Sequence, residues 1–159
     1  LGQQLNSIFC KLAQQYEIVL VDAAINSDDL LPLKALNDGE IIIKLNRQTE
    51  SIKDSYALIK KMYNQLGSRS FGIIVDNATE SQARTIFGNI SDVAKRFLNI
   101  ELEYFGAIPT DVHLTRAAKL GRTVMEAFPL ASASSAFKII ADRLNKKLDD
   151  KSKLVSQIE

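Results

Sequence analysis

The sequence predicts an α/β fold in which a parallel sheet is covered by helices. Two observations carry that prediction. Four β-rich runs, Glu17–Asp22, Glu40–Leu45, Phe71–Val75 and Leu102–Ile108, alternate with stretches whose apolar residues recur at helical spacing. The first run is continuously apolar between its end residues, the pattern of a strand buried on both faces. Right-handed crossovers then place the loops after Asp22, Leu45, Val75 and Ile108 along one carboxyl edge, where ligands of open α/β sheets bind.

The elements follow in order. Leu5, Ile8, Phe9 and Leu12 mark an amphipathic helix near residues 3–14, with Cys10 expected on its apolar face as a buried structural thiol. The first strand comes next. A polar stretch, Asn26-Ser27-Asp28-Asp29, leads to a short apolar segment around Leu30–Leu36 and the turn Asn37-Asp38-Gly39, before the second strand. Ser51 and Asp54 have the spacing of a capping box. Behind them Ile52, Tyr56, Ile59, Met62, Tyr63 and Leu66 form a helical stripe that Gly67 closes. After the third strand, a helix over about 80–98 turns Ile86, Ile90, Val93, Ala94 and Phe97 inward. The fourth strand ends at Pro109, and Asp111 caps a short helix that Gly121 ends. The last helix spans about Ser134–Leu148, with Ser132, Ser134 and Ser135 as loop and N-cap. The remaining tail is polar and expected to fray. The expected organisation is one domain over residues 1–148 and a polar tail over 149–159.

Composition narrows the function. The 159 residues can bury one substantial core, and 46% apolar with 25% charged residues suits a soluble globular chain. Twenty basic and nineteen acidic residues leave a net charge of +1, which gives no argument for direct nucleic-acid contact. The single cysteine forms no internal disulfide and fits a reducing cytoplasm. No apolar run approaches the ~20 residues of a membrane span. His113 lacks companions for a metal site and is expected on a solvated helix face. Arg116, Lys119 and Arg122 share a short basic helix, read as solvated. Nothing nominates a catalytic residue: Glu101 and Glu103 are not placed as an acid/base pair.

Tyr16-Glu17-Ile18-Val19-Leu20-Val21-Asp22 has the form by which P-loop nucleotidases set a carboxylate beside Mg²⁺. Its usual companion, a glycine-rich loop ending in Gly-Lys-Ser/Thr, is not among the seven glycines of this chain. Ser51-Ile52-Lys53-Asp54-Ser55-Tyr56-Ala57-Leu58-Ile59-Lys60 adds a second clue. Val93-Ala94-Lys95-Arg96-Phe97-Leu98 and Gly106-Ala107-Ile108-Pro109-Thr110-Asp111 add a third and fourth. Together these segments resemble the MinD/ParA-like ATPases, and among them the regulators of flagellar number and placement. The resemblance runs from about Tyr16 to Leu144.

That resemblance implies a P-loop nucleotidase sheet, incomplete here because the strand leading to the phosphate loop is missing. In the family, that strand lies beside the one matching Tyr16–Asp22, so an apolar strand edge is expected to stand open to another copy or a further segment. Asp22 matches the aspartate that helps organise Mg²⁺. Pro109 and Asp111 match the loop bordering adenine, and Asn77 is the candidate adenine-contacting asparagine. Ala23-Ala24-Ile25-Asn26 departs from the small-Ala-Gly switch, and Asn46-Arg47-Gln48 departs from Thr-x-Pro-Glu. The implied function is the C-terminal portion of an ATP- and Mg²⁺-dependent switch that places or counts flagella or other polar assemblies, acting as a homodimer with a protein partner. The implied location is cytoplasmic, or peripheral at the inner membrane, although the tail carries only a thin apolar stripe (Leu154, Val155, Ile158). An intact protein of this kind hydrolyses ATP; the 159-residue chain, without the phosphate cradle, is expected not to. The rival reading is a standalone, non-catalytic α/β interaction module.

Overall fold

The computed structural model describes residues 2–23, 31 and 34–155. Its sheet has three parallel strands, β1 (Ile42–Asn46), β2 (Phe71–Asp76) and β3 (Leu102–Ile108), in the order β1-β2-β3. Helix α1 (Gly2–Ala13) and a 3₁₀ turn (Lys34–Asp38) precede β1. Helices α2 (Thr49–Leu66) and α3 (Glu80–Leu98) form the two crossovers. Beyond β3 come α4 (Val112–Lys119), the single turn α5 (Val124–Ala127) and α6 (Ser132–Val155). The main core joins strand residues such as Leu45, Phe71, Ile73 and Val75 to Ile59 and Met62 of α2 and Ala83, Ile90 and Ala94 of α3. A smaller core of Ala117, Val124, Ala131 and Ala133 holds α4, α5 and the start of α6 together, with Leu114, Phe128 and Phe137 at its margin.

The register runs Ile42 opposite Gly72 and Asn46 opposite Asp76, then Phe71 opposite Leu102. Between Ile73 and Ile74 the ladder skips Phe105, so β3 carries one extra residue. Gly106 follows at φ 152, a conformation L side chains seldom adopt, and a Cβ there would lie 2.8 Å from Ile140 of α6. Arg143 of α6 donates to the Phe105 carbonyl at 2.9 Å, which pairs a group the bulge leaves out of the ladder.

Lys147 fastens the same helix lower down. Its ammonium lies 2.8 Å from Glu40 and also bonds Glu103. Burial by itself would depress the lysine, but its hydrogen bonds to Glu103 and Glu40 outweigh that and leave its pKa raised. Lys147→Met removes the cation shared by the covered Glu40 carboxylate and the more open Glu103 carboxylate. The expected loss is about 2 kcal/mol, read from the urea midpoint.

Several expectations are corrected. Glu17–Asp22 is not a strand: residues 17–23 join no ladder, and Leu20 is 79% exposed. The physical reason is that an apolar run becomes a strand only when a neighbour takes up its backbone groups. Here the run and β1 instead line a cleft of about 730 Å³ together with Leu144 and Leu148. In α1 the apolar Leu5, Ile8 and Leu12 are exposed, while Asn6, Phe9, Cys10 and Ala13 are half-covered, so Cys10 is not fully buried. No capping box forms at Ser51, because α2 begins earlier, after Gln48. The Ser51 hydroxyl accepts instead from the Asn46 N–H at 3.0 Å. In α3, Val93 and Phe97 face outward (Phe97 is 69% exposed), and Ala83 and Leu98 take the inward places. Helix α6 runs past the expected end at Leu148 to Val155, with no glycine or proline to interrupt it there. Ala24–Leu30, which include the polar stretch and all of the altered switch but Ala23, lie outside the described residues, as do residues 156–159.

Candidate functional site

Parallel strands bring the ends of β1, β2 and β3 to one edge, and most of the residues singled out by sequence gather there. β1 ends in Asn46, whose Oδ1 accepts from the Gln48 N–H at 2.8 Å and shapes the turn into α2. β2 ends in Asp76, which accepts from the Asn77 N–H at 2.9 Å and lies 3.6 Å from the Lys44 ammonium. Asn77 itself is exposed and left-handed at φ 54, a conformation asparagine tolerates better than most residues. The Ala78 N–H donates across to the Ile108 carbonyl at 3.3 Å, and the Thr110 hydroxyl donates to Asn77 Oδ1 at 3.4 Å. Asn77 and Thr110 thus meet although they are thirty-three positions apart. Asn77 offers donor and acceptor atoms on one amide, which suits the edge of a purine.

Asp111 is held differently. Its Oδ1 accepts from the His113 N–H at 2.9 Å and lies 2.7 Å from His113 Nδ1, while Oδ2 accepts from the Ala133 N–H at 3.0 Å. One carboxylate therefore caps α4 and ties the first turn of α6 to the loop after β3. The Ala133 and His113 N–H bonds draw its pKa down to about 2. His113 is only partly on a solvated face: its side chain is 37% exposed, and its ring sits 4.7 Å from that of Phe128. Ser134 is likewise no cap but a buried residue, its hydroxyl donating to the Phe128 carbonyl at 2.7 Å. Pro109 faces a second cleft of about 400 Å³ that Ala78, Gly106, Ser132 and Arg143 also line. Beside it, burial and the bond to Glu80 push the Tyr104 hydroxyl up to about 12, with Arg84 stacked 5.0 Å from the ring.

Asp22 stands apart from this group. It is exposed and borders the larger cleft, which Lys44 also lines. Among the described residues no group of three His, Cys, Asp or Glu side chains could hold a metal. One exposed carboxylate does not make a Mg²⁺ site by itself, because Mg²⁺ needs near-octahedral oxygen ligands. It fits as one contributor where phosphates and water supply the others. Among the described residues no helix is long and apolar enough to cross a membrane.

Sequence reasoning missed the Thr110–Asn77 contact and the reach of Asp111 to Ala133. It also missed two capping boxes, Thr79 with Gln82 at the start of α3 and Thr123 with Glu126 at the start of α5. The boxes had a legible signal, Thr followed three residues later by Gln or Glu. The two long-range contacts had none.

No family model matches the chain. Over 138 residues, 86% of its length, it is 31% identical to the antiactivator FleN of Pseudomonas aeruginosa. Over 144 residues, 89% of its length, it is 24% identical to an uncharacterized ATP-binding protein of Methanocaldococcus jannaschii. The chain spans about half the length of these curated relatives, 49% and 51% respectively.

Proposed function

The chain is MinD/ParA-like, and on that premise we propose that it is the C-terminal portion of an ATP-dependent switch that regulates flagellar number or placement. The observation that carries the proposal is the match to FleN over 86% of the chain. The match to an ATP-binding protein supports the nucleotide part. The rival reading, a standalone module without nucleotide chemistry, is not favoured by either relative.

In this reading Asn77 and Pro109 border the adenine, with Thr110 steadying the Asn77 amide. Asp111 serves that loop by holding Pro109 and Thr110 in place, since both of its oxygens already accept hydrogen bonds. Asp22 is the magnesium aspartate. The cleft between residues 17–23 and β1 supports the partial-domain reading, because the strand leading to the phosphate loop belongs beside Tyr16–Asp22 in this family. A homodimer, and a protein partner within a flagellar or polar assembly, complete the switch.

The test is a titration of the 159-residue chain with ADP and Mg²⁺, followed through backbone amide shifts. The expected result is weak, millimolar binding, with the shifts concentrated at Asn77, Thr110 and their neighbours and reduced in Asn77→Ala. No ATP hydrolysis accompanies it. Shifts scattered elsewhere, or none, contradict the adenine assignment, and turnover of ATP by this chain contradicts the need for a separate phosphate cradle.

A further inference from the structure

We propose that the outward face of α4 is a docking surface for an acidic, amphipathic helix of a protein partner. The inference rests on the switch reading only in supposing that a partner exists; the surface itself is argued from its own residues.

Helix α4 turns Leu114 and Ala117 into the smaller core. Opposite them Val112, Arg116, Lys119 and Leu120 fall at i, i+4, i+7 and i+8, one stripe of the helix. Its two apolar members are open to solvent, Val112 at 63% and Leu120 at 61%. They lie two turns apart, about 12 Å along the axis, with the two cations between them.

Charge decides what fits. Between residues 111 and 131 the acids are Asp111 and Glu126. Asp111 is spent on Ala133 and His113, and Glu126 on the Thr123 N–H and hydroxyl. Neither neutralises Arg116 or Lys119; Arg122, just beyond the stripe, is engaged by Glu126, whose backbone carbonyl accepts from it at 3.5 Å. The complement is therefore a helix with two apolar residues two turns apart and carboxylates between them. The face is also pre-organised: Asp111 caps one end of α4, and the Leu120 and Arg122 N–H groups donate to the Ala117 carbonyl at 3.0 and 3.1 Å at the other.

The probe is a synthetic helical peptide of about five turns carrying leucines two turns apart with glutamates between them, set against the same residues scrambled. Binding is followed by fluorescence anisotropy, and its location by backbone amide shifts, in the full 159-residue chain. The expected result is binding that shifts α4 amides, weakens with added salt, and falls about tenfold or more in Arg116→Glu/Lys119→Glu. Leu120→Ser should weaken it as well. Should the charge reversal disturb folding by circular dichroism, Arg116→Gln/Lys119→Gln replaces it. Equal binding of the scrambled peptide, no binding, or shifts away from α4 overturns the proposal. Binding to phosphatidylglycerol vesicles but not to the peptide also overturns it, by making the face a lipid contact. The ADP titration reports at Asn77, so failure of either inference is read separately.

Discussion

Replacing Gly72 with alanine is expected to lower the stability of the chain by about 2–3 kcal/mol. Gly72 sits in β2 opposite Ile42 of β1 and Glu103 of β3. A Cβ there would stand 2.6 and 2.7 Å from two ring carbons of Phe105 and 3.1 Å from Ile42 Cγ1. Phe105 is the bulged residue of β3 and is fully buried, so its ring has nowhere to swing. Alanine is ordinarily the better strand residue by about 0.5–1 kcal/mol, a gain too small to offset that collision. The partner change shows the cause. Phe105→Leu alone leaves a cavity and costs stability, whereas Gly72→Ala with Phe105→Leu costs less than the sum of the two. Urea unfolding of the four proteins measures the coupling. A neutral Gly72→Ala, or strict additivity, contradicts the packing described here.

Asp111→Ala should be the most damaging polar substitution. It removes the cap of α4 and the tie to α6 together, and a drop of roughly 5–10 °C in the thermal midpoint is expected. Asp111→Asn keeps one accepting oxygen and should lose only part of this. The carboxyl is held near pKa 2 in the fold against 3.8 for the unperturbed group. Because the folded value is the lower one, the unfolded chain binds the proton first as pH falls. The stability contributed by Asp111 is thus complete above about pH 4 and disappears as the pH drops towards 2. Comparing thermal midpoints between pH 6 and pH 2.5 tests this, since the gap between wild type and Asp111→Ala should close at the acid end. A gap that stays constant means the carboxylate charge is not what holds the two helices.

Much of the fold was legible because its signals are local. The runs at Phe71–Val75 and Leu102–Ile108 form strands where the sequence places them, and the Asp111 cap and Gly67 stop lie within a turn of the helices they serve. What was not legible depends on partners distant in sequence. Tyr16–Asp22 has every intrinsic mark of a buried strand, yet a strand exists only with a neighbour, and in this chain it borders a cleft. Val93 and Phe97 fit the helical period of α3, but period alone does not say where an inward stripe ends. Ala83 and Leu98, nearer the helix ends, took the core positions instead. At the candidate site, Asn77 and Pro109 came from the family pattern. The meeting of Asn77 with Thr110, and of Asp111 with Ala133, arises from how the loops pack at one sheet edge and has no sequence signature.

The central claim is that these 159 residues are the C-terminal portion of a MinD/ParA-like ATPase, and it is tested most directly by reading the coding sequence immediately before Leu1. The account predicts an open frame that encodes an apolar strand followed by Gly-Lys-Gly-Gly-x-Gly-Lys-Thr/Ser, the strand to lie beside Tyr16–Asp22 and the loop to bring phosphates to Asp22. A start codon at Leu1, or a preceding frame with no lysine-bearing glycine loop, contradicts it and leaves Asp22 without a magnesium role.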